Sequence, residues 1–410
     1  MHDWEKLREQ VKSKLESKSI VIWGADKHTE HFLKKYLDIL AVRTCVADAC
    51  SEGSTLVVEG KEIPICSLNE YVCSENDYII VSREHNPFGE NYLEMNGYVV
   101  LEHYIRDEWI SVFLQKKKVA FFAGNCLLLT IADCLMKQER FVEEYNCFWA
   151  PTHNYLSKYS RKTWSLVKNY CDLYVYSKHS KDNLRFFFDD EVALSAKKIS
   201  VPSYYNTMFW PQLSDRMSMR ANPYFVKDVG KAHGPFELAD VNLNGMMERG
   251  LSTDEIVKRV SDKGFYTEET VLNNWEKSKA VLYNAEDNAD IRAAEYIIDN
   301  KIIFMDSVHP SIEVDLYMAK QLMMLSGFGE TELTKQGIDK FEKQYRNHTT
   351  QIPIYPSVRE ILGLEDEPKL YNVTYYSDRE KMVTFEEYII GYCETSKRVM
   401  ELKQMYNKIL

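Results

Sequence analysis

One short segment most constrains the fold of this chain: an apolar run that passes through a glycine, an asparagine and a cysteine into a helical pattern. The run at 119–123 leads into Gly124-Asn125-Cys126, and apolar residues follow over 127–136. A strand that runs directly into a helix is the unit of α/β sheets. Such a turn holds a side chain among the N–H groups of the helix start, where α/β enzymes place nucleophiles and anions. The segment predicts an α/β enzyme with Cys126 as its nucleophile.

A second pattern supplies a base for that nucleophile. The apolar residues at 302–305, which predict a strand, are followed by Asp306, and His309-Pro310 comes three residues later. At this spacing the carboxylate can orient the imidazole, and the imidazole can serve a nucleophile that the fold brings close. The pattern indicates acyl transfer, with His309 as general acid/base and Asp306 orienting it.

Length and composition narrow the class of protein. A chain of 410 residues predicts two or three domains, and a net charge of −11 argues against non-specific binding of nucleic acid. The nine cysteines have no zinc-ligand spacing, so no metal is expected. No apolar stretch reaches the roughly 18 residues of a membrane span, and the N-terminus is charged. We therefore expect a cytoplasmic protein with reduced thiols and no transmembrane segment.

Strands at 19–24, 41–47, 77–82 and 98–101 alternate with helical stretches, which predicts a Rossmann-like parallel sheet in residues 1–115. Only Gly24 of the G-x-G-x-x-G fingerprint is present, which argues against NAD binding. Two interpretations stay open for this region. It is either a nucleotide or sugar-nucleotide site, with Asp48 where a ribose-binding acid would lie, or a degenerate domain used for docking. The lysines at 116–118 mark its expected boundary.

The turn at 124–126, the order of strands and helices around it and the late His309-Pro310 resemble the WcbI family. Residues 250–256, 301–311 and 352–364 look like the middle and closing segments of that family. The resemblance covers residues 117–365. It implies an acetyltransferase domain at 116–365 that binds coenzyme A and acts in polysaccharide biosynthesis, followed by a helical extension at 366–410.

The spacing of Asp306 and His309 is also similar to the last sequence block of SGNH/GDSL hydrolases, whose Gly-Asp-Ser turn corresponds to Gly124-Asn125-Cys126. Those enzymes are α/β/α sandwiches. The expected fold class is thus α/β: an N-terminal Rossmann-like parallel sheet, a central SGNH-like α/β/α sandwich and a helical C-terminal part.

Further residues are candidates for substrate binding. An oxyanion needs N–H donors aimed at the developing charge, and the turn at Gly124 and Asn125 and the loop residue Asn206 could supply them. The phosphates of coenzyme A need cations, for which the candidates are Lys178, Lys181 and Arg185.

The expected reaction moves an acetyl or similar acyl group from acyl-coenzyme A to a sugar hydroxyl or amine of a capsule or other cell-surface polysaccharide. The acyl group passes either through a Cys126 acyl-enzyme or directly to the acceptor. The expected partners are the acyl donor and the saccharide, with a homo-oligomer or polysaccharide-assembly proteins left open. Two alternatives remain: a thioesterase or sugar deacetylase that uses water, and a non-enzymatic protein that binds coenzyme A or a sugar nucleotide.

Overall fold

The structure is a computed structural model, and it contains two compact units, residues 1–199 and 200–410. It describes residues 4–47, 54–72, 74–82, 87–151, 159–178, 195–213, 238–329, 333–345, 351–364, 370–373 and 382–407. Asp48 lies outside the described residues.

The first unit alternates strands with helices. Its strands are β1 (Ser19–Trp23), β2 (Val42–Ala47), β3 (Thr55–Val58), β4 (Lys61–Ser67), β5 (Asp77–Val81), β6 (Tyr104–Arg106), β7 (Lys118–Gly124), β8 (Tyr145–Pro151), β9 (Leu173–Lys178) and β10 (Lys197–Pro202), of which the last runs across the boundary. Its helices are α1 (Trp4–Ser17), α2 (Lys27–Tyr36), α3 (Phe88–Met95), α4 (Ile110–Leu114), α5 (Cys126–Met136), α6 (Glu139–Glu144) and α7 (Arg161–Tyr170), with a 3₁₀ turn at Asp107–Trp109.

The first of its two sheets has the strand order β3-β4-β2-β1-β5-β6. Every pairing in it is parallel except that of β3 with β4, two strands joined by a tight turn. All of β5 and the last four residues of β1 are buried, as expected for central parallel strands covered on both faces. This sheet is the Rossmann-like part of the α/β fold.

The second sheet carries the Gly-Asn-Cys turn on a central strand. Its order is β10-β9-β7-β8, and β7 pairs in parallel with both β8 and β9. After Lys118 every residue of β7 is buried. Because the carboxyl ends of parallel strands lie on one edge of a sheet, the turn after β7 lies beside the ends of both neighbours.

One hydrophobic core joins the two sheets of the first unit. Trp109, in the turn after β6, lies with its ring centroid 4.8 Å from that of Phe148 in β8. Trp4 of α1 stacks on Tyr170 of α7 at 4.0 Å. The expected boundary at 115/116 falls inside this unit, and the expected division into three domains stays a prediction.

The second unit is mostly helical. Its elements are α8 (Val241–Glu248), α9 (Thr253–Val260), α10 (Glu268–Ala285), α11 (Ala294–Asp299), α12 (Ile312–Met323), a π-helical turn (Met324–Phe328), α13 (Lys335–Tyr345), α14 (Pro356–Leu362), β11 (Tyr371–Asn372), β12 (Met382–Val383) and α15 (Phe385–Asn407). Ser252 begins α9 with a capping box, since its hydroxyl accepts from Glu255 N while the Glu255 side chain accepts from Ser252 N. The expected α/β fold with a helical C-terminal part is confirmed, and the likeness to an SGNH sandwich stays a prediction.

Two predicted strands are wrong. Residues 98–101 form a turn in which Leu101 has φ 67°, and the strand follows at Tyr104–Arg106. Residues 302–305 have no regular secondary structure. Their backbone makes isolated hydrogen bonds, such as that from Ile352 N to Met305 O at 2.8 Å, in place of the ladder of a paired strand. An apolar run shows that a segment is buried but not that its backbone pairs.

Candidate functional site

Asn125 is the N-cap of α5, and its side chain fixes the turn that presents Cys126. Its Oδ1 accepts a hydrogen bond from Leu128 N at 3.2 Å. Ser177 of β9 binds the same residue twice: its Oγ accepts from Asn125 N and donates to Asn125 Oδ1, both at 3.1 Å. A predicted oxyanion residue is therefore tied to the neighbouring strand, and its amide oxygen is used in capping the helix.

Gly124 is required by this close approach. A Cβ at this position would lie 2.2 Å from Ser177 Oγ and 2.5 Å from Leu128 Cδ2. Only glycine lets β7, β9 and α5 converge at the turn.

Cys126 is the first residue of the eleven-residue α5, and its side chain is exposed. The N–H groups and dipole of a helix start stabilise a thiolate. Several of the other described cysteines are shielded: burial raises the pKa of the Cys45 thiol to about 12 and that of Cys393 to about 11. Position and exposure together favour Cys126 as the reactive thiol.

Asp306 and His309 are hydrogen-bonded to each other within one turn of the second unit. Asp306 Oδ2 lies 2.7 Å from His309 Nδ1, and Asp306 Oδ1 accepts from the backbone N–H groups of Val308 and His309 at 2.8 Å each. The side chains are 14% and 32% exposed, respectively, so the carboxylate is shielded while the imidazole stays accessible. A carboxylate at Nδ1 favours the tautomer protonated there, which puts the lone pair of the neutral ring on Nε2. This is the geometry of a general base with an orienting acid.

Asn206 lies beside this turn. Its backbone N–H donates to Ser307 O at 2.7 Å, its Oδ1 accepts from Met208 N at 2.9 Å, and its side chain is fully buried. Its Nδ2 has no hydrogen-bond partner among the described residues. A buried amide donor without a partner is costly, so it is a candidate for binding a substrate oxygen.

The structure thus collects the predicted residues into two groups. Gly124, Asn125 and Cys126 lie together in the first unit, where the half-buried Lys178 ends the strand that carries Ser177. The second group is the pair Asp306 and His309 with Asn206 nearby, in the second unit. The predicted cations Lys181 and Arg185 lie outside the described residues.

Metal-binding clusters and membrane-spanning helices are both absent from the described part of the chain. It contains no group of three or more His, Cys, Asp or Glu side chains placed to hold a metal ion. None of its helices has the length and apolar character needed to cross a membrane.

The turn between β1 and α2 is poorly suited to binding a phosphate. Gly24 has φ 151°, and a Cβ there would lie 1.9 Å from the carbonyl oxygen of Ser82. The glycine therefore allows the backbone at Ser82, just after β5, to approach closely. The carboxylate of Asp26 caps α2 by accepting from Thr29 N at 2.9 Å. A negative charge already occupies the helix start, which disfavours a pyrophosphate at this turn.

Sequence reasoning missed three polar residues. Ser177 braces the Asn125 turn, and Gln212 and Asp240 are buried in the second unit. Ser177 lies at the carboxyl end of a strand, and Asp240 precedes a helical pattern as an N-cap does, so the sequence around each could have indicated its role. Gln212 carried none.

Two comparisons with known proteins gave a match. The family model described as "Polysaccharide biosynthesis enzyme WcbI" matches residues 119–331, more than half of the chain. A solved structure of WcbI, described as a novel polysaccharide biosynthesis enzyme in its native form without a disulfide bond between coenzyme A and a cysteine, is similar with a TM-score of 0.49 and 13% identity. That likeness covers 72% of this chain and 94% of the other. A comparison with curated proteins gave no match.

Proposed function

Because this chain belongs to the WcbI family of polysaccharide biosynthesis enzymes, we propose that it transfers an acyl group, most simply acetyl, from acyl-coenzyme A to a saccharide. The observation that carries the proposal is the exposed Cys126 at the first position of α5, at the carboxyl end of a central parallel strand. This is where α/β enzymes hold a nucleophile.

In the first step the Cys126 thiolate attacks the carbonyl carbon of the thioester. The bond from that carbon to the coenzyme A sulfur breaks, and coenzyme A leaves as the thiol after taking up the proton that Cys126 lost. One thioester replaces another, so the exchange is nearly isoenergetic and the acyl-enzyme stays reactive.

In the second step the acceptor oxygen attacks the acyl carbon. His309 takes the hydroxyl proton on Nε2, the bond to Cys126 breaks, and the imidazolium returns the proton to the sulfur. Asp306, 2.7 Å from Nδ1, stabilises the imidazolium and holds the ring in place. Asn206 Nδ2 supplies a hydrogen bond to the substrate.

We place this reaction in the cytoplasm, where thiols stay reduced and a cysteine nucleophile stays active. The proposed acceptor belongs to a capsule or other cell-surface polysaccharide, in keeping with the family. Lys178, at the end of β9, is the described residue that we propose for the phosphates of coenzyme A.

The test is the intact mass of the protein after brief exposure to acetyl-coenzyme A. Wild type and a Cys66→Ser control should each gain one acetyl group, and Cys126→Ala should gain none. The control thiol is half-buried and lies in the first sheet. Equal acetylation of Cys126→Ala would show that the nucleophile is assigned wrongly.

The release of coenzyme A separates the remaining mechanisms. Release that needs an added saccharide, without a protein adduct, would indicate direct transfer. Release at full rate without saccharide would indicate a thioesterase. If neither release nor an adduct occurs and acetyl-coenzyme A does not bind, the proposed donor is wrong.

A further inference from the structure

A small cavity lies inside the second unit, close to the turn that holds Asp306 and His309. Its lining includes Gln212, Asp240, Tyr355, Tyr388 and Tyr392. The cavity has a volume of about 10 Å³. The interior therefore has room for a single hydroxyl group or one water.

Gln212 is the lining residue best placed to form hydrogen bonds with a ligand. Its side chain is 1% exposed, and neither Oε1 nor Nε2 has a hydrogen-bond partner among the described residues. Its backbone is held, because Gln212 O accepts from Val241 N at 3.1 Å. Buried amides are almost always paired, so the Nε2 donor and the Oε1 acceptor of Gln212 would both be stabilised by a bound group.

Asp240 forms part of the wall, and both of its carboxylate oxygens already accept hydrogen bonds. Its Oδ1 accepts from the N–H groups of Asn242 and Leu243 at 3.0 and 2.9 Å, and its Oδ2 accepts from the Tyr355 hydroxyl at 2.8 Å. Tyr392 is fixed as well, since its hydroxyl accepts from Asp240 N and donates to Asn244 Oδ1. Gln212 is the lining residue whose side-chain N and O atoms both lack a partner among the described residues.

The chemistry of the lining selects a neutral hydroxyl. A carboxylate or phosphate can only accept hydrogen bonds and would meet the buried charge of Asp240. An ammonium can only donate and would leave Gln212 Nε2 without a partner. A hydroxyl both donates and accepts, and so satisfies both atoms of the amide.

The cavity lies close to the Asp306–His309 pair of the proposed active site, within the same unit. Ile352, which also lines it, donates its N–H at 2.8 Å to Met305 O, and Met305 precedes Asp306. The pKa of Tyr388 is raised by burial and by Asp240, and the charge of Asp306 adds to the shift. A sugar anchored in the cavity would lie near His309.

We propose that this cavity binds one hydroxyl group of the acceptor saccharide, with Gln212 as the residue that recognises it. The inference rests on the proposed function and names the acceptor as an uncharged, hydroxyl-bearing sugar ring. It makes Gln212 a substrate-binding residue that takes no part in the chemistry.

The experiment measures binding of methyl glycosides to the full chain by saturation-transfer NMR, without any acyl donor. The probes are the neutral methyl glucoside, galactoside and mannoside, with methyl glucuronide as the charged counterpart. Gln212→Met keeps the length of the side chain and removes both polar atoms, and Gln336→Met is the matched control at an exposed position of the same unit. Thermal unfolding checks that both variants fold.

At least one neutral glycoside should bind wild type and Gln336→Met alike, more tightly than the glucuronide does, and its Kd should rise at least tenfold in Gln212→Met. Absence of binding by all three neutral probes, or equal binding to Gln212→Met, would overturn the proposal and indicate a single trapped water. Acylation of Cys126 plays no part in this assay. Loss of acylation with retained, Gln212-dependent binding would therefore refute the proposed transfer alone.

Discussion

Asp240 makes the stability of the second unit depend on pH in a direction opposite to that of most carboxylates. The side chain is buried, and this burial raises the pKa of the carboxyl from its ordinary 3.8 to about 6, although three hydrogen bonds oppose the shift. The folded unit then binds the proton more tightly than the unfolded chain does. Stability from this group is therefore lost as pH rises from about 4 to about 6.

The magnitude follows from the shift. A change of about 2 pKa units at about 1.4 kcal/mol each gives about 3 kcal/mol of stability lost between pH 3.5 and pH 7. Asp240→Asn removes this loss, because asparagine keeps an oxygen to cap α8 and does not ionise. The stability of the variant relative to wild type should thus rise by about 3 kcal/mol across the same interval.

The assay is urea unfolding of both proteins from pH 3.5 to 7.5, followed by hydrogen exchange and mass spectrometry of peptides from the second unit. Groups common to both proteins cancel in the difference. A difference that stays constant with pH, or one that falls as pH rises, would refute the account of Asp240 as a buried carboxyl that favours its proton.

Three further changes test the framework. Gly124→Ala should slow acetylation of the nucleophile at least tenfold in a folded protein, since the new methyl group would overlap the next strand. Arg106→Leu should cost about 3 to 5 kcal/mol in urea unfolding, because it leaves the fully buried Glu90 without its cation. Asp306→Asn keeps the turn but not the acceptor for His309 Nδ1–H, so acyl transfer should fall by roughly 10² to 10⁴.

Each of these changes has a matched control or a contrary outcome. Gly245→Ala should leave acetylation unchanged, since the nearest atom to its new Cβ is 3.9 Å away. Lys61→Leu breaks an exposed pair with Asp38 and should leave stability nearly unchanged, and an equally small effect of Arg106→Leu would contradict the buried network. Unchanged transfer in Asp306→Asn would show that the carboxylate does not orient His309.

Local sequence patterns correctly predicted those features that depend on interactions between residues close together in the chain. The apolar run before Gly124 forms the buried β7, and Asn125 caps the helix that begins at Cys126. The spacing of Asp306 and His309 predicted a contact that the structure shows at 2.7 Å. Capping, turn geometry and i to i+3 contacts depend on adjacent residues, so they can be read from order alone.

The prediction of a strand at 302–305 was wrong because strand pairing depends on residues far away in the chain. Its apolar residues are compatible with burial in any backbone form, and whether they pair depends on the segments that arrive beside them. Here Ile352 gives the segment one hydrogen bond, to Met305 O, and Asn206 bonds beyond it, to Ser307 O.

The sequence by itself determined the α/β alternation, the nucleophile turn and the Asp-x-x-His pair, because each is set by short-range sterics and hydrogen bonding. Only the tertiary structure decided that Ser177 braces Asn125 from 52 residues away and that Tyr355 reaches Asp240 across 115 residues. It also left both amide atoms of Gln212, a residue that lines the cavity, without partners among the described residues. Such contacts depend on the path of the whole chain, and no spacing within the sequence encodes them.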